Sequence, residues 1–156
     1  MGGGSGGHVT PVVAVLKELR SRHPKVELQF WCDTKFAPQA KSIVGAFDES
    51  IRVETIASGK LRRYYHLTLL QHILWPSLMW SNLVDVFKVL GGFFQSLVKL
   101  ILWRPDVVFT KGGYVCLPVG MAAKVLGIPL VIHDSDAHPG LTNRVLSRWA
   151  ARIGTG

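Results

Sequence analysis

Acidic residues are scarce in this chain. Ten Asp and Glu stand against eighteen Lys and Arg, a net charge of +8. A basic surplus of this size points to an anionic partner: nucleic acid, a phosphate-bearing substrate or anionic lipid. Charge of either sign is thin, at 18% of residues against 48% hydrophobic. Some apolar surface is therefore expected to face something other than water. Cysteine is limited to Cys32 and Cys116, which form no metal-spaced pair and read as two reduced, buried thiols. No signal peptide precedes the first motif, and no internal repeat or low-complexity linker is visible. No window of about 20 residues is free of charge and turn signals, so no transmembrane helix is expected. The length of 156 residues suits one domain spanning 1–156.

What is present alternates. Helical spacing runs over Val12 to Leu19, Phe36 to Val44, Val115 to Leu126 and Leu141 to Ala150. Strand-like runs cover Val26 to Trp31, Ile51 to Ile56, Val107 to Thr110, Leu130 to His133 and the segment from Arg152. Gly127 and Pro129 supply a helix stop. The stretch Leu83 to Trp103 carries Asp85, Lys88, Gln95 and Lys99 near one helical stripe, which predicts an amphipathic helix with a wide apolar face. Alternating short strands and helices imply an α/β fold with a parallel sheet, whose ligands sit at the carboxyl ends of the strands. Three loops fall there: Gly2 to His8, Lys111 to Tyr114 and Asp134 to Gly140. The first should follow a strand, yet only Met1 precedes it, and the last residues enter a strand and stop. The expectation is a fragment lacking its first strand.

Four constellations carry chemistry. Glycines 2–4, Gly6 and Gly7 lead into a helix expected from Thr10 or Pro11. Glycine lets backbone approach an anion, and a helix N-terminus offers free N–H groups, so the segment reads as a pyrophosphate cradle; a flexible glycine tail is the alternative. Thr110-Lys111-Gly112-Gly113-Tyr114 ends a strand and opens a helix. Lys111 can pair with phosphate and Tyr114 offers an aromatic face, although a tight turn explains the same residues. His133 to Arg144 clusters carboxylates, histidines and a helix start. A metal site at Asp134, Asp136 and His138 is disfavoured, because no second ligand cluster exists. The last constellation is Arg62-Arg63 followed by a crowded apolar and aromatic run through Leu74, Trp75, Leu78 and Trp80. With Lys60 and Trp103 it reads as an interfacial membrane segment, broken by Pro76; a core helix is the competing reading.

Gly3 to Pro11, then Lys111-Gly112-Gly113-Tyr114 with Leu117-Pro118, then Gly127 to His133 and Pro139 to Arg144, resemble in order three motifs of the MurG family. The resemblance implies a Rossmann-like parallel sheet, the N-terminal domain of a GT-B glycosyltransferase, with the first strand and the C-terminal donor domain absent. It implies an inverting transferase without metal, cofactor or nucleic acid. Such an enzyme moves N-acetylglucosamine from UDP-GlcNAc to the C4 hydroxyl of undecaprenyl-pyrophosphoryl-MurNAc-pentapeptide, peripherally at the cytoplasmic face of the bacterial inner membrane. On the same resemblance Ser5, Gly6, Gly7, Gly112, Gly113, Tyr114, Asp136 and Asn143 bind substrate. His8, whose ordinary pKa is near neutral, becomes the candidate base.

One departure is that His133-Asp134-Ser135-Asp136 stands where the family usually reads His-Glu-Gln-Asn. Asp136 thus accepts but does not donate hydrogen bonds. Nothing here supplies stabilisation for a leaving nucleotide, so this chain alone is expected to be inactive. Competing readings are the acceptor subunit of a two-chain lipid-linked GlcNAc transferase, a lipid glycosyltransferase such as one acting on diacylglycerol, and a non-catalytic phosphate-binding module.

Overall fold

The computed structural model describes residues 6–60, 76–136 and 138–156, with residues 6–10 and 76–78 described through their backbone alone. The elements alternate as expected: α1 (Gly6–Arg22), β1 (Gln29–Cys32), α2 (Ala37–Gly45), β2 (Arg52–Thr55), α3 (Pro76–Trp103), β3 (Val108–Thr110), α4 (Cys116–Val125), β4 (Leu130–Asp134), α5 (Leu141–Leu146) and β5 (Arg152–Thr155).

Every strand pairing is parallel, but the strands form two sheets rather than one. β1 pairs with β2, placing Phe30 opposite Val53. β4 lies between β3 and β5, with Thr110 opposite Ile132 and Asp134 opposite Thr155. The unpaired edges of β1 and β3 face one apolar cleft of about 410 Å³, lined among others by Phe30, Trp31, Val108, Phe109, Leu16 and Leu100. Along β1 the pleat sends Phe30 and Cys32 into one core and Trp31 into the other. Both faces are buried, as in parallel sheets generally.

Several boundaries differ from the sequence expectation, each for a local reason. α1 begins at Gly6, so Gly6, Gly7 and His8 occupy its first turn instead of a loop, and Pro11 lies inside the helix. β1 starts only at Gln29, because Arg20 draws the Val26 carbonyl into a turn at 2.6 Å and simultaneously binds Asp48 at 2.7 Å. α5 ends at Leu146; the Trp149 indole N–H reaches the Gly120 carbonyl at 3.3 Å, and the chain turns toward β5. The described part of α3 begins at Pro76, and the residues before it, where the sequence reading placed a helix broken at Pro76, lie outside the described residues.

α3 is the largest departure. Its Met79–Trp103 portion is 25 residues long with a mean hydropathy of 1.5, so length and composition alone would let it cross a membrane. The helix lies on the domain with Asp85, Gln95 and Lys99 of its polar stripe turned inward and Lys88 exposed. Asp85 and Ser96 are buried. The Gln95 amide donates to the Thr55 carbonyl at 3.0 Å and accepts the Ala57 N–H at 2.9 Å. Lys99 pairs with Glu54 and lies 5.9 Å from the Trp31 ring centre. Part of the apolar surface, including Leu100, enters the core. The remainder points outward: Trp80, Phe87, Phe94 and Leu102 are between 62% and 79% exposed.

Contact between α3 and the segment after β2 is backbone to backbone. A Cβ built on Gly92 would stand 1.8 Å from the Ala57 carbonyl oxygen, and one on Gly59 would stand 2.2 Å from that of Asp85. Gly91, one residue away, has open space around it. Gly92→Ala should therefore destabilise the chain by about 1–3 kcal/mol through overpacking. Gly91→Ala should stabilise it by about 0.5–1 kcal/mol, the ordinary helix gain over glycine. Urea unfolding midpoints of the two variants check this; equal shifts would contradict the close approach.

Candidate functional site

The carboxyl ends of β1, β3 and β4 meet on one rim. After β3, Gly112 and Gly113 take φ of 95° and 89°, a turn that side-chain-bearing residues rarely adopt. The turn lets Lys111 run inward and Tyr114 emerge at the start of the next helix. Lys111 is only 6% exposed, and its ammonium donates to the Ser135 hydroxyl after β4. No carboxylate pairs with Lys111 among the described ion pairs. A buried ammonium without a counter-charge makes this end of the loop favourable for an anion.

The β4 end adds polar groups. The Asp134 carboxylate accepts the Asp136 N–H at 3.1 Å, closing a small turn that leaves Asp136 exposed. His133 Nδ1 and Asn143 Oδ1 are buried without a hydrogen-bond partner. Asn143 packs against the glycine turn: a Cβ on Gly112 would lie 3.2 Å from its Nδ2. Asp33 follows β1 and is buried. Burial first, and then the charge of Asp33 and hydrogen bonding to it, raise the Tyr114 pKa, with Asp85 adding to the effect. Both thiols are free and buried, and burial pushes each up to about 11, so neither is a nucleophile near neutral pH. Among the described residues no three His, Cys, Asp or Glu side chains gather as a metal site would require.

Of the residues singled out in the sequence, the structure brings Gly112, Gly113, Tyr114 and Asn143 to this rim. Asp136 sits exposed at its edge. Gly6, Gly7 and His8 lie in the first turn of α1, and Ser5 lies outside the described residues. In the proposed membrane segment, Lys60 is exposed and Trp80 is 69% exposed. Leu78 belongs to the backbone-only start of α3, and Arg62, Arg63, Leu74 and Trp75 lie outside the described residues.

A model of the glycosyltransferase family 28 N-terminal domain matches residues 1–155. The chain belongs to that family. Its relatives include the UDP-N-acetylglucosamine–N-acetylmuramyl-(pentapeptide) pyrophosphoryl-undecaprenol N-acetylglucosamine transferases of Clostridium kluyveri, 36% identical, and Lachnospira eligens, 39% identical. Each match covers 97% of this chain and 38% of the relative. The crystal structure of Acinetobacter baumannii MurG superposes with a TM-score of 0.72 at 28% identity, covering 99% of this chain and 40% of that one. The chain thus spans about two fifths of the length of its relatives. The Rossmann-like reading of the sheet stands on the same match.

Within this glycosyltransferase domain, Asp33 and Asp85 are rim or near-rim residues that sequence reasoning did not place at a site. Asp33 had one available signal, its place directly after a strand of a parallel sheet. Asp85 had none, because only the inward turn of α3 brings it near Tyr114. The glycine turn yields a direct test. Gly112→Ala should cost about 1–2 kcal/mol in backbone strain, with further loss from crowding Asn143. Gly140 has φ of −61° and no neighbour within 4 Å of a Cβ, so Gly140→Ala should be near neutral. Thermal unfolding of both variants decides it; a harmless Gly112→Ala would contradict the turn.

Proposed function

We propose that this domain is the acceptor-binding half of a transferase that moves N-acetylglucosamine from UDP-GlcNAc to undecaprenyl-pyrophosphoryl-MurNAc-pentapeptide. The observation that carries the reading is the match over 97% of the chain to transferases whose names describe that acceptor. The rim geometry supports it. Lys111 offers a buried cation for a pyrophosphate, while Tyr114, Asn143 and the α1 first turn offer hydrogen-bonding groups for a sugar. The glycine-bearing first turn of α1 places free N–H groups beside His8, which keeps His8 as the candidate base. The donor nucleotide and its leaving-group stabilisation belong to the donor half that such a transferase requires.

The outward face of α3 supports peripheral attachment to a membrane. Phe87, Leu90, Phe94, Val98 and Ile101 recur at helical spacing, and each is 46% exposed or more. An apolar face of this length suits shallow insertion into lipid, and the basic surplus, including Lys60, Arg62 and Arg63, adds attraction to an anionic leaflet of about 1 kcal/mol per charge. The acceptor's long lipid leaves the bilayer only at high cost, at about 0.8 kcal/mol per buried CH₂, so the domain must work at the surface.

Binding to nanodiscs separates this function from its rivals. The chain should bind nanodiscs containing the pyrophosphoryl-MurNAc lipid more tightly than empty ones, and should show no measurable affinity for UDP-GlcNAc. Equal affinity for both nanodiscs, or tight binding of UDP-GlcNAc by this chain, would contradict the acceptor assignment.

A further inference from the structure

β1 and β3 each pair with a neighbouring strand on one side only. The Cys32 carbonyl accepts the Ile56 N–H at 2.9 Å on the β2 side. Backbone groups alternate in direction along a strand, so the N–H and C=O of Trp31 turn the other way, into the cleft of about 410 Å³. Val108 stands on the facing wall, at the start of β3. Val12 and Leu16 of α1 bring one core to the cleft, and Leu100 and Val119 bring the other. Lys25, Glu27, Arg104 and Asp106 line the end at which the chain enters β1 and β3. A strand edge on either side and a core on either face give this cleft the shape of one strand.

We propose that this cleft is a receptor for one extended apolar strand, supplied by polypeptide outside residues 1–156, that pairs with β1 and β3 and joins the two sheets into one. Polypeptide fits better than a lipid chain, because only a strand offers an N–H and a C=O to Trp31. An acyl chain would bury those groups unpaired. Every strand pairing in the domain is parallel, so the occupant runs parallel to both walls. Its amino end then lies among Lys25, Glu27, Arg104 and Asp106, where a charged residue is accommodated. Because each of its faces meets a core, successive side chains are all apolar, as in buried parallel strands. A length of about four residues matches β1, and proline is excluded because it cannot pair.

Docking of the strand reaches the rim through α1. Side chains on one face of the strand pack against Val12 and Leu16, and the same helix carries Gly6, Gly7 and His8 in its first turn. α1 leads into β1, so that first turn lies at the carboxyl end of the strands, where the docked strand also ends. The occupied cleft therefore fixes the first turn against the rim. The use of that turn for the acceptor rests on the assignment above; the docking of the strand does not.

The test titrates the 156-residue chain with a soluble peptide of about four alternating valines and isoleucines between a lysine and a glutamate. Calorimetry should show binding, hydrogen exchange at the Trp31 amide should slow, and emission from Trp31 and Trp103, which both line the cleft, should change. Proline in place of one central valine removes a ladder hydrogen bond and should weaken binding by about tenfold or more. Val15→Trp, which fills the cleft from α1, should abolish binding while the helical circular dichroism stays that of the parent chain. Lauric acid should not protect the Trp31 amide. No binding of the parent peptide, equal binding of the proline peptide, protection by lauric acid, or a chain that self-associates with Trp31 already protected each overturns the proposal. Unchanged affinity for nanodiscs carrying the pyrophosphoryl-MurNAc lipid, with the peptide docked, overturns the link to the acceptor and leaves the strand receptor standing.

Discussion

The inward turn of the polar stripe on α3 is the constraint on which the remaining architecture depends. Gln95 and Lys99 fasten the helix to the end of β2, and Gly92 lets its backbone touch that of Ala57. From the same helix Leu100 enters the core built around β3 and β4. One helix thus joins two sheets that share no strand hydrogen bond. It also carries Asp85 toward Tyr114, coupling the scaffold to the rim. Because Asp85, Gln95 and Lys99 are spent inside, its large apolar side chains are left outside. The usual order of a surface helix is reversed, which leaves a wide apolar face exposed.

The rim itself follows from parallel topology. Strand ends after β1, β3 and β4 arrive together, so short loops distant in sequence become neighbours. Lys111 and Ser135 are 24 positions apart, yet the ammonium donates to the hydroxyl. Gly112 meets Asn143 in the same way. The resulting surface is electrically uneven: a buried cation at Lys111, carboxylates at Asp33 and Asp85. Such unevenness suits a ligand that is anionic at one end and hydroxylated at the other, as a sugar pyrophosphate is.

Much of this was legible in the sequence where signals are local. The strand runs Val107 to Thr110 and Leu130 to His133, bounded by Pro105, Gly127 and Pro129, and the helix Val115 to Leu126, read from its spacing and glycine stop, each fall within a residue of the observed Val108–Thr110, Leu130–Asp134 and Cys116–Val125. The glycine turn at Gly112-Gly113 and the place of Asn143 in the following motif were also visible. Long-range facts were not. A hydrophobic period reveals that α3 has two faces but not which one the domain claims. The start of β1 depended on Arg20 reaching across to Val26 and Asp48, which no neighbouring residue announces. Asp33 carried no motif, only a position. The single sheet expected from alternation became two because β1 and β3 leave the cleft between their edges unpaired.

The account stands most directly on the outward apolar face of α3 being a lipid-facing surface rather than misplaced core. Phe87 and Phe94 are 64% and 62% exposed, so replacing both with serine should leave the fold intact. The deciding measurement is co-sedimentation of the Phe87→Ser, Phe94→Ser chain with anionic vesicles, alongside its urea unfolding midpoint. The account predicts an unfolding midpoint close to that of the parent chain and a loss of vesicle binding that persists at low salt, where the basic residues act most strongly. Undiminished vesicle binding, or a collapse of stability, would contradict it.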